Sequence, residues 1–215
     1  MKVVDIAIRR KGLAAVGFSP IPSKSIANAE YEGERILLDR EILSRLNIKI
    51  GDQLSDDDLE ILVLASESYR AKQRAIWLLA SRDYSKKALT DKLRQKFSKE
   101  ASLFALEQMV KRGYLNEERL ALNLLEKYSA LNLSLKQMRA KLFEKGLEKE
   151  VIEKVLLGTH PEESEYSRLE ALIESKYKTK LQNEEGIRKT VDALRRRGFS
   201  FSNIKKALSR YKDFD

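Results

Sequence analysis

Lysine and arginine side chains are concentrated in two parts of the sequence, where they could bind a polyanion. Residues 71–115 contain eleven Lys and Arg against four Asp and Glu, and residues 187–215 contain nine against three. A guanidinium group presents a planar fork of N–H donors that matches a phosphate or a carboxylate. Two local excesses of this size favour contact with nucleic acid or with an acidic protein surface. The alternative is a solvated basic face that has no partner.

The residues that we expect to make these contacts form two clusters. The first basic cluster consists of Arg82, Lys86, Lys87, Lys92, Arg94 and Lys96. The C-terminal basic cluster consists of Arg188, Lys189, Arg195, Arg196, Arg197, Lys205, Lys206 and Arg210, with Lys212 extending it. Because consecutive helical residues point about 100° apart, three consecutive arginines cannot all face a hydrophobic core. The glycine after them allows a sharp turn, which brings the lysines of the next helix close to the arginines.

Aromatic side chains near these cations could provide stacking platforms for nucleobases. Tyr84, Tyr114, Phe199 and Phe201 are the candidates. Tyr114 and Phe199 follow glycines, so we expect both to be wedges in the core. Phe201 lies two residues beyond Phe199 and is the best stacking candidate. Trp77 lies on an apolar stripe, which predicts that it packs between helical units.

The sequence contains no convincing set of catalytic residues. His160 is the only histidine, and no nucleophile or metal ligand accompanies it. The carboxylates of Asp56 to Asp58 could hold Mg²⁺, but a place in the first turn of a helix favours an interaction with the helix dipole instead. No glycine-rich phosphate loop of the G-x-x-x-x-G-K type is present. We therefore predict a protein that is not an enzyme and needs no cofactor or metal.

The composition is typical of a helix-rich globular chain. Of 215 residues, 35% are charged and 42% are hydrophobic, the net charge is +9, and cysteine is absent. The absence of cysteine excludes disulfides and thiolate metal sites. The N-terminal segment is a poor signal peptide, and no apolar run is long enough to span a membrane. These features predict a cytoplasmic protein without a membrane contact, and we expect a monomer.

The first 54 residues are predicted to form a small β-hairpin module. The segments “VVDIAI” and “AAVGF” are short and β-prone, and the turn-like “RRKG” separates them. A third strand is expected near Glu34 to Leu38, followed by a short helix that Asp39 caps. The segment between the hairpin and this third strand contains two prolines, so it cannot form one regular element.

From Ser55 onward the pattern is helical. Ser55 and Asp58 form a predicted capping box at the start of a long helix. Further starts are predicted at caps Ser85, Ser98, Asn116 and Ser134, and Pro161 opens another helix. Helix ends are predicted at Gly113, Gly146, Gly158 and Gly198.

A unit of about fifty residues with three helices occurs three times. The copies align on an apolar anchor residue, which is Phe97, Leu147 and Phe199 in turn, at spacings of 50 and 52 residues. The first copy lacks the glycine before the anchor, which predicts a turn that is tighter or differently capped. The third copy has Gly186 and Thr190 where the others have a serine cap and a Leu or Met.

Stacking of such units predicts a mainly α protein: tandem three-helix repeats that form an elongated curved array, with a small N-terminal β-hairpin module. The predicted domains are residues 1–54 (β-hairpin module), 55–115 (linking helix and first repeat), 116–160 (second repeat) and 161–215 (third repeat).

Four segments, taken in order, resemble the family of the regulatory protein RecX. They are “LLASRDYSKKALTDKLRQKFSKE”, “VKRGYLNEERLALNLL”, “SLKQMRAKLFEKGLEKEVIEKVL” and “LRRRGFSFSNIKKAL”. The resemblance covers about residues 55–212, and “RGYLNEERLA” is its most specific piece.

The resemblance implies a non-enzymatic modulator of the RecA recombinase. Family members bind the filament of RecA on single- or double-stranded DNA along its groove. They block its extension or promote its disassembly, and so lower ATPase, strand-exchange and coprotease activities. The clusters listed above are then expected to contact filament DNA or RecA. A protein that binds DNA without RecA through the same basic array is the alternative.

Overall fold

The computed structural model describes residues 1–22, 26–158 and 161–211. They divide between two compact units, Met1–Leu115 (the N-terminal unit) and Asn116–Asp215 (the C-terminal unit). Four separate hydrophobic cores lie within them, one beside the β-sheet and one in each of three helical bundles. The architecture is therefore mainly helical with three-helix repeats, as the sequence predicted, and the finer division into four domains stays a prediction.

The N-terminal module is a four-stranded antiparallel sheet in the order β1-β2-β4-β3. Its strands are β1 (Lys2–Ile8), β2 (Leu13–Ser19), β3 (Glu30–Glu32) and β4 (Arg35–Asp39). The predicted hairpin is β1 with β2, and the predicted third strand is β4. Strand β3 was not predicted, because it is short and follows the proline-containing segment.

The sheet is continued by a short helix and packs on the start of a long one. Helix α1 (Arg40–Arg45) begins at its predicted cap, where the Asp39 carboxylate accepts a hydrogen bond from the backbone N–H of Glu41 at 2.9 Å. One face of the sheet packs against Leu59 and Leu62 in the first turns of helix α2 (Asp56–Ser81).

Nine helices form the rest of the described chain. They are α2, α3 (Lys86–Arg94), α4 (Lys99–Lys111), α5 (Glu117–Ala130), α6 (Leu135–Glu144), α7 (Lys149–Gly158), α8 (Pro161–Leu172), α9 (Glu184–Arg196) and α10 (Phe201–Leu208). A π-helical turn at Ile173–Tyr177 and a 3-10 turn at Lys178–Lys180 follow α8. The predicted caps at Ser55, Ser85, Ser98, Asn116 and Ser134 are all confirmed, since each side chain accepts a backbone N–H. No helix of the described residues is long and apolar enough to cross a membrane.

The first bundle combines the second half of α2 with α3 and α4. Ala71 and Ala75 of α2 and Ala101 and Ala105 of α4 are all fully buried, at i, i+4 spacing on each helix. Small side chains at these positions let the two backbones approach closely. The carboxylate of Glu67 accepts 2.6 Å hydrogen bonds from the backbone N–H and the hydroxyl of Ser98, and so joins α2 to the start of α4.

Glu67→Ala is expected to lower the free energy of unfolding by about 2 kcal/mol, because it leaves two half-buried donors of Ser98 without their charged acceptor. Chemical denaturation of the purified variant measures this loss. Glu67→Gln retains an acceptor oxygen at the same place and is expected to lose less. Equal stability of Glu67→Ala and the unsubstituted protein would contradict the capping role.

The turns between the second and third helices of each bundle follow the predicted pattern. In the third bundle the N–H of Phe199 donates to the carbonyl of Leu194, five residues earlier, across Gly198. In the first bundle the N–H of Phe97 donates to Leu93, only four residues earlier. Of the two alternatives predicted for the first copy, the structure shows the tighter turn.

The third copy differs at the start of its second helix. The cap is Asn183, whose side chain accepts a 2.8 Å hydrogen bond from the N–H of Gly186. Helix α9 therefore begins one turn before the position that the repeat alignment indicated. Thr190 is nevertheless only 2% exposed, so it occupies the core position of Leu89 and Met138.

Within the C-terminal unit, the second and third bundles are joined by polar contacts at the start of α6. The hydroxyl of Ser134 donates to the carbonyl of Arg197 at 2.6 Å, while it also caps its own helix. The N–H of Leu135 donates to the buried carboxylate of Glu165 at 2.9 Å. Arg168 donates from Nε to the carbonyl of Leu133 at 3.1 Å. Because these donors and acceptors pair across the two bundles, the position of Arg197 is fixed relative to α6.

Candidate nucleic-acid interface

The first basic cluster lies at the end of α2, along α3 and in the turn after it. Helix α3 buries Leu89 and Leu93, so its lysines and arginine occupy the remaining faces. All members of the cluster are exposed except Lys86, which is half-buried. The Arg82 guanidinium lies 4.5 Å from the centre of the Tyr84 ring. Tyr84 itself is only 7% exposed and therefore cannot serve as a stacking platform.

Two members of the C-terminal basic cluster form ion pairs with carboxylates. Lys189 pairs with Glu185 at 2.6 Å and Arg210 pairs with Glu170 at 2.8 Å. All its described members are exposed apart from Arg197, which is half-buried. A surface pair contributes little to stability, but it lowers the local positive potential that a polyanion meets. Lys212 lies outside the described residues.

The cations at the end of α9 and Lys205 of α10 have no carboxylate partner among the described residues. Among the described residues, no carboxylate lies within 4.0 Å of Arg195, Arg196 or Lys205. Arg195 lies 5.8 Å from the centre of the Phe201 ring at the start of α10. The negative end of the α9 dipole favours the two arginines locally. Arg195 and Phe201 thus meet across the turn at Gly198. Together with Arg196 and Lys205, Arg195 is the strongest candidate for phosphate contact in the C-terminal unit.

The aromatic predictions are confirmed in part. Phe199 is 4% exposed and is a core wedge, and Phe201 is 59% exposed, as expected of a stacking candidate. The prediction for Tyr114 is wrong. It is 49% exposed because the next residue, Leu115, enters the core instead. The prediction that Trp77 is packed is also wrong, since this side chain is 60% exposed.

Sequence reasoning missed a third group of cations, which surrounds Tyr69 in the N-terminal unit. The Arg45 guanidinium lies 5.4 Å and the Lys72 ammonium 4.8 Å from the centre of its ring. Burial lowers the pKa of Lys72, and repulsion by Arg112 and Arg45 lowers it further. These residues come from α1, α2 and α4 and are far apart in sequence, so no local pattern signals their meeting.

The carboxylates of the DDD segment act at the start of α2. Asp58 accepts hydrogen bonds from the N–H of Ser55 at 3.0 Å and from its hydroxyl at 2.7 Å. These bonds hold the pKa of Asp58 below its usual value. The helix-capping interpretation is confirmed for Asp58. Within the described residues, no three His, Cys, Asp or Glu side chains converge as metal ligands, and His160 lies outside the described part of the chain.

Comparison with known proteins relates this arrangement to a regulatory family. Residues 162–208 match the family model described as “RecX, third three-helix domain”. The regulatory protein RecX of Caldanaerobacter subterraneus subsp. tengcongensis is 31% identical over 172 residues, which cover 80% of this chain and 85% of that protein. The chain belongs to the RecX family. The RecX protein of Clostridioides difficile is 24% identical over 184 residues, covering 84% of this chain and 86% of its own.

A solved structure supports the fold of this RecX-family chain. A crystal structure of a regulatory protein RecX covers 97% of this chain and 98% of its own, with a TM-score of 0.70 at 17% identity. The RecX structure from Lactobacillus salivarius has a TM-score of 0.62 and covers 68% of this chain and 97% of its own. Membership of a family of regulatory proteins supports a regulatory role for this chain.

Proposed function

We propose that this RecX-family protein binds the RecA–DNA filament and inhibits it. In this proposal the protein limits filament extension and lowers ATPase, strand-exchange and coprotease activities, and so modulates recombination and DNA repair. It acts through binding and performs no catalysis. The DNA within or beside the filament and the RecA surface are its partners, and it works in the cytoplasm as a monomer.

The observation that carries this proposal is the group of cations at the end of α9 and on α10. Arg195, Arg196 and Lys205 are exposed and lack carboxylate partners within the described residues. A filament of protein on DNA exposes phosphates at regular intervals, and unpaired guanidinium groups suit phosphate recognition. The family's regulatory character supports the choice of a recombinase filament over free nucleic acid.

Titration of RecA on single-stranded DNA tests the proposal directly. We expect substoichiometric amounts of the protein to slow ATP hydrolysis by RecA, because one molecule that blocks extension affects many RecA subunits. Steady-state phosphate release measures the rate. An unchanged rate at equimolar protein would contradict the proposal.

A second candidate function is binding to DNA without RecA. The excess of eleven basic over four acidic residues in 71–115 favours it. In that case, affinity for bare DNA is high and falls steeply with salt, with a slope of about 0.7–0.9 per phosphate contacted in a logarithmic plot. Weak binding to bare DNA together with strong inhibition of RecA would reject this candidate.

A further inference from the structure

Trp77 is the only tryptophan of the chain, and it lies on the surface of the N-terminal unit. Its side chain is 60% exposed. On α2 the core-facing residues are Ala71, Ala75 and Leu78, all at most 5% exposed. Since neighbouring helical residues point about 100° apart, Trp77 is directed away from that stripe. A large indole in this place buries little apolar surface and gives the fold little stability.

An arginine is stacked on the exposed ring. The Arg74 guanidinium lies 4.2 Å from the centre of the Trp77 ring, within the range of a cation–π interaction. The contact joins residues i and i+3 of one helix and orients the indole. The tryptophan is thus an oriented ring, exposed to solvent, with a positive charge over one of its faces.

A second arginine lies beside this pair. Arg70 lies one turn before Arg74 on the same side of α2, where it pairs with Glu30 at 2.7 Å, and its guanidinium is 6.0 Å from the centre of the Phe97 ring. Phe97 directly follows Lys96 of the first basic cluster, in the turn between α3 and α4. Arg70, Arg74 and Trp77 have i, i+4, i+7 spacing and share one face of α2. That face therefore borders the turn that carries part of the first basic cluster.

We propose that Trp77 stacks on an unpaired base of single-stranded nucleic acid, with Arg74 and the first basic cluster holding the adjacent phosphates. A flat exposed ring beside guanidinium groups is the combination that non-sequence-specific single-strand binding uses. Duplex DNA does not offer the face of a base, because its bases are stacked on one another. This inference rests on the proposed function, in which the protein contacts nucleic acid. It adds that the bound strand is single and that Trp77 contacts it.

A protein partner is the less favoured occupant. Apolar docking sites on proteins have an apolar centre with several large side chains. Trp77 instead has arginines on its own face of the helix, and its bundle carries a net charge of +7 over residues 71–115. A negatively charged ligand that also has flat apolar groups fits both features.

The intrinsic fluorescence of the full-length protein tests the proposal, because all of the tryptophan emission comes from Trp77. The probes are oligothymidylate, an abasic oligonucleotide of the same length, and RecA without DNA. We expect oligothymidylate to quench the emission and the abasic strand, which has the phosphates but no bases, to leave it nearly unchanged. Equal responses to the two strands, or no quenching by either, would overturn the proposal. A change caused by RecA alone without one by oligothymidylate would identify a protein contact and also overturn it.

Substitutions test whether the ring of Trp77 itself contributes to strand binding, independently of the fold and of charge. Trp77→Ala is expected to weaken oligothymidylate binding on the order of tenfold, measured by fluorescence anisotropy of a labelled strand, while Trp77→Phe retains most of the affinity. The matched control is Ile61→Ala, which removes a side chain of the same helix that is 64% exposed. Unchanged affinity in Trp77→Ala, or an equal loss in the control, would refute the stacking role. None of these measurements contains active RecA filaments, so their outcome is independent of the ATPase test of the proposed function.

Discussion

Arg195→Gln combined with Arg196→Gln is expected to weaken binding to single-stranded DNA and to RecA filaments by about 10- to 30-fold at about 0.1 M salt. Both side chains are exposed, and neither has a carboxylate within 4.0 Å among the described residues. Each would release about 0.7 of a counterion from a single strand on binding. The slope of log affinity against log salt should therefore decrease by about 1.4 in the double variant. Anisotropy titrations at several salt concentrations measure both quantities.

The control for this experiment removes the same charge from another part of the same unit. Lys127→Gln with Lys149→Gln neutralises two exposed lysines of the second bundle, outside both basic clusters. We expect this variant to keep most of the affinity and most of the salt slope. Equal losses in the two double variants would mean that only net charge matters. Unchanged binding in the arginine variant would move the interface to the first basic cluster, around Lys87 and Lys92.

The helical part of the fold could be predicted because its signals are local. An N-cap such as Ser134 acts on a backbone group three residues away, and the structure confirms each predicted cap. The apolar anchors repeat every 50 or 52 residues, which identified the three bundles without any long-range information. Even the tighter first turn was one of two alternatives predicted from a single missing glycine.

The errors concern which side of an element faces the core. Tyr114 and Leu115 are adjacent and both hydrophobic, so the sequence does not decide which of them enters the bundle after Gly113. Trp77 was expected to pack between helical units because it lies on an apolar stripe of the sequence. The structure instead buries Ala71, Ala75 and Leu78 of α2 and leaves Trp77 60% exposed.

The long-range ion pairs are the part of the candidate site that could not be predicted from the sequence. Arg210 and Glu170 are forty positions apart and meet only because α8 and α10 pack together. The Lys189–Glu185 pair is local, at i, i+4 spacing, and could have been predicted from the helix period. Both pairs reduce the positive potential of the surface that composition alone suggested, and the membership of the cluster in an interface stays a prediction.

Gly198→Ala is expected to lower the free energy of unfolding of the C-terminal unit by about 2–4 kcal/mol, because two costs combine at this position. The backbone φ angle of Gly198 is +90°, a region that disfavours residues with a Cβ. An added Cβ would also lie 2.8 Å from the Cβ and 2.9 Å from the Cδ of Lys136, at the contact between the second and third bundles. Urea denaturation followed by circular dichroism measures the change.

Gly113→Ala separates the two costs. Gly113 has a φ angle of +70°, but nothing lies within 4 Å of an added Cβ. Gly113→Ala should therefore lower the free energy of unfolding by only about 1 kcal/mol, because a residue with a Cβ disfavours this backbone conformation. Lys136→Ala in the Gly198→Ala background removes the Cγ and Cδ atoms and is expected to restore part of the stability. Equal losses at the two glycines would mean that Lys136 moves aside without cost.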